Sequence, residues 1–576
     1  MKSAVTVSFV FAAFGAFADF AIDIDPKAVP IKDMSRTTCN SGIGYNAALE
    51  AVFGVKDDDW WFVSNRVESA RVLREAGANL LRLQCMNGWF ARQGPNPYDP
   101  NSTDKKERRR YQSYRRSNPK AAFDFYKANG IKVFVCLECR TTNAVPENVA
   151  IVKWIVDNGY KDCVAGIEMG NETYGNPRYP EFAPLWSEFI DRVWEFWPKV
   201  QIGMNIGELF ENNPDLVHLK NRILSDENFK RDWRNCETYF TAGNLNRHSA
   251  QFVLAMSNKL DRISHIIYHA YGADTPYSCS YYGFKRFRNF TEMFPVLKGK
   301  KYWLTEVRPR SDEDNWCQRM FREALIMGHY SLMALCQPET DCFCHHQLTG
   351  LSGAIHQSNG TSWHVQWYDG TRENIEDDLS PCNQMRMEAS HIGVAYRILG
   401  QGIRHHPYFL QHGLSRPAAD ADDEWTVSAK LADQVYAHRR AVKEGKADVP
   451  PVAGEVEWVV ATTKRRDRFC LLMVNSKPTA ETVTVTVRGC ELAAPTYRTV
   501  SCPEEYLDCR AVPGEGRFWS TVAWEDSQFG YSFCNMEKYG GLVPAATTMK
   551  VRIKPHTIQT VQFVTRKLQK GGEKVR

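Results

Sequence analysis

Two apolar runs in this chain each end in a glutamate: residues 164–170 lead into Gly170, Asn171 and Glu172, and residues 302–305 lead into Glu306. Carboxyl groups delivered at strand ends can divide labour. One, protonated, gives its proton to a departing oxygen, while the other, ionised, supplies an electron pair to the carbon being left. Cleavage of a glycosidic bond needs that division. Carboxyls about 5 to 5.5 Å apart allow direct attack and a covalent intermediate, and a gap of about 6.5 to 9.5 Å admits a water instead. Glu138 and Glu168 also sit on predicted strands and are alternative partners. Glu172 is preferred because it ends its strand, where a side chain reaches a pocket.

Glutamates so far apart in the chain meet only if the fold closes on itself. From about residue 35 to 398 short apolar runs alternate with helical patterns. Predicted helices at 64–76, 119–128, 147–158, 181–195, 248–259, 283–293 and 314–335 separate predicted strands at 34–43, 79–84, 131–136, 164–170, 199–205, 262–269, 302–306 and 341–346. Such alternation implies a parallel sheet with right-handed crossovers. Eight βα units over this length suit a (β/α)₈ barrel, whose reactive side chains project from the C-terminal strand ends. An open doubly wound sheet is the alternative, but no G-x-G-x-x-G follows a strand, and no cofactor is expected.

Beyond residue 400 the pattern changes. Residues 411–454 read as connecting loops, and β-rich segments follow at 455–461, 469–474, 482–487 and 557–563, with strict period two at 482–487. Segment 402–410 is a candidate first strand. This argues for a smaller antiparallel β-sandwich. The expected organisation is a signal peptide over 1–18, the barrel over 19–399, the sandwich over 400–566 and a basic tail over 567–576.

The chain here resembles the clan A glycoside hydrolases, retaining enzymes on a (β/α)₈ barrel, over about residues 35–400. Gly170, Asn171, Glu172, Thr173, Tyr174 and Gly175 are worded most like the α-L-arabinofuranosidase and β-xylosidase branch, which also carries a trailing sandwich. The resemblance implies that Glu172 is the acid/base and Asn171 a ligand of the sugar 2-hydroxyl. Glu306, preceded by Thr305, matches the clan's strand-seven nucleophile. His269 and Tyr271 match a strand-six pair whose tyrosine donates to the nucleophile, and Arg82 matches a strand-two arginine that orients it. The pattern is broken on strand eight: clan members often present a tryptophan platform there, whereas this strand reads Asp341 to His346, so Trp363 and Trp367 in the following loop are the candidate substitutes. The expected activity is retaining hydrolysis of a poly- or oligosaccharide. A barrel that binds carbohydrate without catalysis is the alternative.

Composition sets the remaining bounds. The chain has 576 residues and a formal charge of +5, too small a charge for its length to imply nucleic-acid binding. Lys2, the apolar stretch 4–17 and small residues Ala16 and Ala18 read as a secretory signal, so the expected location is secreted or periplasmic. That stretch is too short to span a bilayer, and no membrane helix is expected elsewhere. Export permits disulfides among the 17 cysteines, with Cys490, Cys502, Cys509 and Cys534 the first candidates. No metal site is expected: the cysteine pairs lack a spaced partner pair, and the adjacent histidines His345–His346 and His405–His406 point apart on strands. The basic run 105–110, with Arg115 and Arg116, follows strand two on the pocket side, which suggests an anionic glycan as substrate.

Overall fold

A computed structural model describes residues 19–39, 41–47, 119–207, 245–272, 294–309, 321–346, 391–415, 455–503 and 544–568, with shorter stretches between 70 and 107 and at 355–358, 386–389 and 535–540. The expected signal segment, the predicted helix 283–293, the basic run apart from Glu107, Trp363, Trp367, Cys509 and Cys534 lie outside the described residues.

Two strands precede the barrel, β1 (Asp19–Ile24) and β2 (Lys32–Asp33). The barrel itself is built from β3 (Ile43–Ala47), β4 (Leu80–Leu83), β5 (Lys132–Leu137), β6 (Val164–Met169), β7 (Ile202–Asn205), β8 (His265–Gly272), β9 (Lys301–Pro309) and β10 (Thr340–His346). These eight strands form a closed parallel barrel in which β10 pairs back onto β3. The first barrel strand begins only at Ile43, the last residue of the segment 34–43 expected to form it. Asp33 caps a short 3-10 turn over Met34–Arg36, and Gly42, at φ 69, breaks extended backbone just before Ile43.

Helices cover the barrel as amphipathic period dictates. In Ala183–Phe196 the buried residues Trp186, Phe189, Ile190 and Val193 recur at helical spacing on one face. Inside, the barrel is plugged rather than hollow. Trp303 of β9 fills the space left by Gly166 and Gly203, where an added Cβ would lie 2.2 and 2.6 Å from the indole. His265 stacks on that ring at 4.1 Å, and Asp341 accepts from the indole nitrogen at 3.0 Å. Burial would raise the Asp341 carboxyl, but bonds from His265, Thr38 and Trp303 outweigh it and hold the group at about 2.

An antiparallel pair, β11 (Ile355–Ser358) and β12 (Arg386–Ala389), follows, then helix His391–His405. The sandwich comprises β13 (Tyr408–Leu414), β14 (Val456–Thr462), β15 (Arg468–Asn475), β16 (Glu481–Val487), β17 (Cys490–Ser501), β18 (Asn535–Gly540), β19 (Thr548–Ile553) and β20 (Thr557–Lys567). A seven-stranded sheet ordered β18-β17-β20-β15-β14-β13-β2 faces a three-stranded sheet ordered β1-β16-β19. Their shared core includes Ile22, Ile24, Leu471, Val485, Val551, Val561 and Phe563.

This placement corrects three expected boundaries. Residues 19–24 belong to the sandwich: β1 runs parallel to β16, and its alternate residues Ile22 and Ile24 are buried against that strand's valines. The last barrel helix extends to His405, so Gly402 is helical, and the first strand after it covers 408–414 rather than loop. Strand β20 includes Lys567, the first residue of the expected tail. Cys490 and Cys502 are thiols without a disulfide. Among the described residues no helix is long and apolar enough to cross a membrane.

The outer face of the larger sheet packs on the barrel through helices Phe321–Cys336 and His391–His405. Gly328 and Gly402 let them approach: an added Cβ would come within 3.1 Å of Val474 and 2.6 Å of Leu472. Buried in this seam, Glu457 of β14 is bonded to His329 at 2.8 Å and to His412 at 2.7 Å. The outer face of that sheet and the barrel with its helices thus share one hydrophobic core, separate from the core between the two sheets.

Candidate active site

The site begins with an arginine that has no access to solvent. Arg82 stands on β4 in register with Asn46 of β3, and both point into the barrel. A buried guanidinium must meet acceptors with each donor. Its Nε donates to Glu168 of β6 at 2.7 Å, its Nη1 to Glu306 of β9 at 2.8 Å, and its Nη2 to Oδ1 of Asn171 at 2.7 Å. Burial alone would lower its pKa, but Glu168, Cys136 and Glu306 more than offset this and push it up, so the cation is permanent.

Glu306 is therefore fixed from one side. Its Oε2 accepts from Arg82 and from Asn46 Nδ2, the latter at 3.2 Å, while its Oε1 lies 3.3 Å from His346 Nε2 at the end of β10. Burial is the main force lowering His346, to about 4, with Glu306 opposing and Arg308, Arg82 and His269 adding. The imidazole is neutral above that range. His269 of β8, the register partner of Glu306, places Nδ1 3.6 Å from the same Oε2.

Glu172 arrives by a different route. The chain leaves β6 through Gly170 at φ 86, passes Asn171, and holds Glu172 itself left-handed at φ 49 and ψ 30. A non-glycine residue there carries about 1 kcal/mol or more of strain. The corner is pinned by the Asn171 amide donating to Glu138 at 2.9 Å and by Asn171 Oδ1 on Arg82. The turn aims the Glu172 carboxylate back over the barrel mouth, where Oε1 meets His269 Nδ1 at 3.2 Å. That bond holds the Glu172 carboxyl below its usual range, against an opposing push from burial and with help from Arg82 and His346.

The two glutamates, one oxygen from each, and a ring nitrogen of His269 all lie within 4.8 Å of one another. Their exposures differ: 42% for the Glu172 side chain and 6% for that of Glu306. The two carboxyls therefore sit in unlike surroundings, Glu306 recessed and Glu172 facing solvent. By type the three groups could also hold a metal ion, but the guanidinium already on Glu306 Oε2 competes for the same carboxylate.

The structure brings Glu172, Glu306, Asn171, Arg82 and His269 together at one end of the barrel. Tyr271 lies on β8 opposite Arg308, and its side chain falls outside the described residues, as do Trp363 and Trp367. Complete burial keeps Arg82 from touching anything in solution and leaves it to position Glu306 and Asn171, not to bind substrate. Glu168 and Glu138, weighed as alternative acids, hold Arg82 and the Asn171 amide respectively. Asn46 was missed, and His346, dismissed as one of two adjacent histidines, faces the pocket because β10 ends there.

The sequence matches no protein-family model and no curated protein. Solved structures do match. The α-L-arabinofuranosidase from Thermotoga maritima, in complex with arabinose, aligns over 95% of this chain and 100% of its own at 13% identity, with a TM-score of 0.57. The family 51 α-L-arabinofuranosidase from Bifidobacterium longum aligns over 94% and 99% at 11% identity, TM-score 0.57. A 4-O-α-L-rhamnosyl-β-D-glucuronidase from Fusarium oxysporum 12S aligns over 94% and 100% at 10% identity, TM-score 0.50. The chain is thus a (β/α)₈ barrel with an appended β-sandwich. It shares the fold of these arabinofuranosidases and is similar to them over nearly its whole length.

Proposed function

We propose that this protein is a glycoside hydrolase that acts with retention of configuration through Glu306 and Glu172. The observation that carries the reading is the approach of the two carboxylates within 4.8 Å at the C-terminal end of a closed barrel, one recessed and one exposed. So close an approach of one oxygen from each supports direct attack over a water held between them. The fold shared with arabinofuranosidases supports the same class.

In the first step Glu306 attacks the anomeric carbon, the bond to the leaving oxygen breaks, and Glu172 delivers its proton to that oxygen. A glycosyl ester on Glu306 results. In the second step the Glu172 carboxylate takes a proton from water, the water oxygen bonds to the anomeric carbon, and Glu306 departs as the carboxylate. Arg82 and Asn46 remain on Oε2 throughout, so Oε1 is the oxygen placed to attack. Asn171, tethered by Arg82, is positioned for the sugar 2-hydroxyl. Because His269 favours the ionised form of Glu172, the proton needed for the first step is held best on the acidic side of neutrality.

The substrate is a poly- or oligosaccharide, with α-L-arabinofuranosides first to be tested and uronic-acid or sulfated glycans next, the latter because of the basic run 105–110. The N-terminal pattern supports export, and the sandwich serves to buttress the barrel through their common core. A panel of aryl glycosides and polysaccharides, assayed with the wild type, Glu172→Ala and Glu306→Ala, tests the proposal. Turnover by the wild type and its loss in both folded variants would support it. Binding without turnover by the wild type would favour a carbohydrate-binding barrel.

A further inference from the structure

A cavity of about 410 Å³ lies where the sandwich meets the barrel, lined by Pro30, Asp33, Ser35, Arg36, Tyr408, Lys464 and Arg466. Three of these side chains are cationic and one is anionic. The anion is already committed: Asp33 Oδ1 accepts from the Ser35 amide and hydroxyl, and its Oδ2 pairs with Arg36 at 3.1 Å. Arg466 is built in rather than dangling. It sits left-handed at φ 59 in the turn joining β14 to β15, and its Nη1 donates to the carbonyls of Pro26 and Ala28, both at 2.9 Å. Neutral carbonyls leave the guanidinium charge uncompensated. Lys464 is exposed beside it and lines the same hollow.

This hollow is not part of the site above. Tyr408 pairs with Asp33, and the adjoining Lys32 donates to the carbonyls of Gln337 and Pro338, just before β10 begins, and to that of Thr340, its first residue. The cavity therefore flanks the N-terminal end of the barrel, whereas Glu172 and Glu306 stand at the C-terminal end. Its volume falls within the range of small-molecule sites, about 300 to 1,000 Å³. Excess positive charge selects an anion, and the Tyr408 ring offers a face or a hydroxyl to a sugar.

We propose that this cavity is a second glycan-binding site, specific for a sugar bearing an oxyanion, either a carboxylate or a sulfate ester. It would hold an anionic polysaccharide against the protein at a distance from the reacting bond. The choice of a sugar as ligand rests on the glycosidase reading; the preference for an anion rests on this cavity alone.

The test is isothermal titration of the full chain with a uronate disaccharide, a sulfated disaccharide, a neutral disaccharide and inorganic sulfate, on the wild type and on the Arg36→Ala/Lys464→Ala variant. Both replaced side chains are on the surface, so an unchanged thermal midpoint verifies folding. The expected result is that an anionic disaccharide binds the wild type at least tenfold more tightly than the neutral one and weakens with salt. The double variant should lose one equivalent of that binding while any hydrolytic rate on a short neutral substrate stays unchanged. The uronate and sulfate arms show which oxyanion is taken. Equal binding by both proteins, no preference over the neutral sugar, no binding at all, or inorganic sulfate binding as tightly as the sugars would overturn the proposal. Loss of hydrolysis alone would bear only on the other site.

Discussion

Arg82 donates to Glu306 at 2.8 Å and to Glu168 at 2.7 Å while wholly removed from solvent. One cation on β4 thus holds two buried carboxylates from β6 and β9, strands that are not adjacent in the barrel, and with Nη2 it also tethers the corner that presents Glu172. Replacing it leaves both acids uncompensated. Arg82→Ala should destabilise the protein by roughly 3 to 5 kcal/mol, the usual cost of breaking a buried ion pair from one side. Urea unfolding measures this. Arg82→Lys should restore part of the stability but little activity, because an ammonium cannot reproduce the three-way fork.

His269 sets the proton affinity of Glu172. Removing its hydrogen bond in His269→Phe removes the leading force that lowers the Glu172 pKa, so that pKa rises. The protonated acid then persists to higher pH, and the alkaline limb of the kcat/KM profile should move upward, even as the maximal rate falls. An unchanged or downward-shifted limb would assign that limb to another group.

Gly170 is required by the corner that turns Glu172 over the pocket. At φ 86 an added Cβ would also lie 2.7 Å from the Thr173 methyl. Gly170→Ala should cost about 1 to 3 kcal/mol from backbone strain alone and reduce kcat more than it raises KM, because Glu172 loses its aim. Thermal unfolding and steady-state kinetics measure the two effects separately.

Much of this was legible in the sequence, for a physical reason. A strand that ends in a carboxylate is a short local pattern, so Glu172 and Glu306 could be read directly. Arg82 stands out as a lone charge in the buried run Leu80–Leu83. Asn46 could not be found this way, because a single asparagine in a short strand carries no signal until the register with Arg82 is known. Placing the first strand at 34–43 hid it further. Strand β1 was missed as part of the sandwich because its partner lies at the other end of the chain. Strand β17 was missed because an irregularity between Ala493 and Thr496, with Ala494 at φ 50, breaks its alternation.

The seam between the two domains depends on Glu457. Burial pushes its carboxyl up, but bonds from His329 and His412 outweigh this and hold it below the usual range. A carboxyl depressed on folding contributes stability above its unfolded pKa and loses it as pH falls through the folded value. Glu457→Ala should therefore cost roughly 3 to 5 kcal/mol at neutral pH, and the deficit should shrink on acidification. Calorimetry should show barrel and sandwich separating into two transitions in the variant. A single unshifted transition would place the coupling in the apolar contacts instead.

The account rests on Glu306 as the group that forms a bond to the sugar. Incubating Glu306→Ala with an activated aryl glycoside and azide, and determining the product by NMR, tests it most directly. A glycosyl azide of inverted configuration, formed at a rate well above the variant's own hydrolysis, is the expected result. Full hydrolytic activity in the variant, or a wild-type product of inverted configuration, would contradict the account.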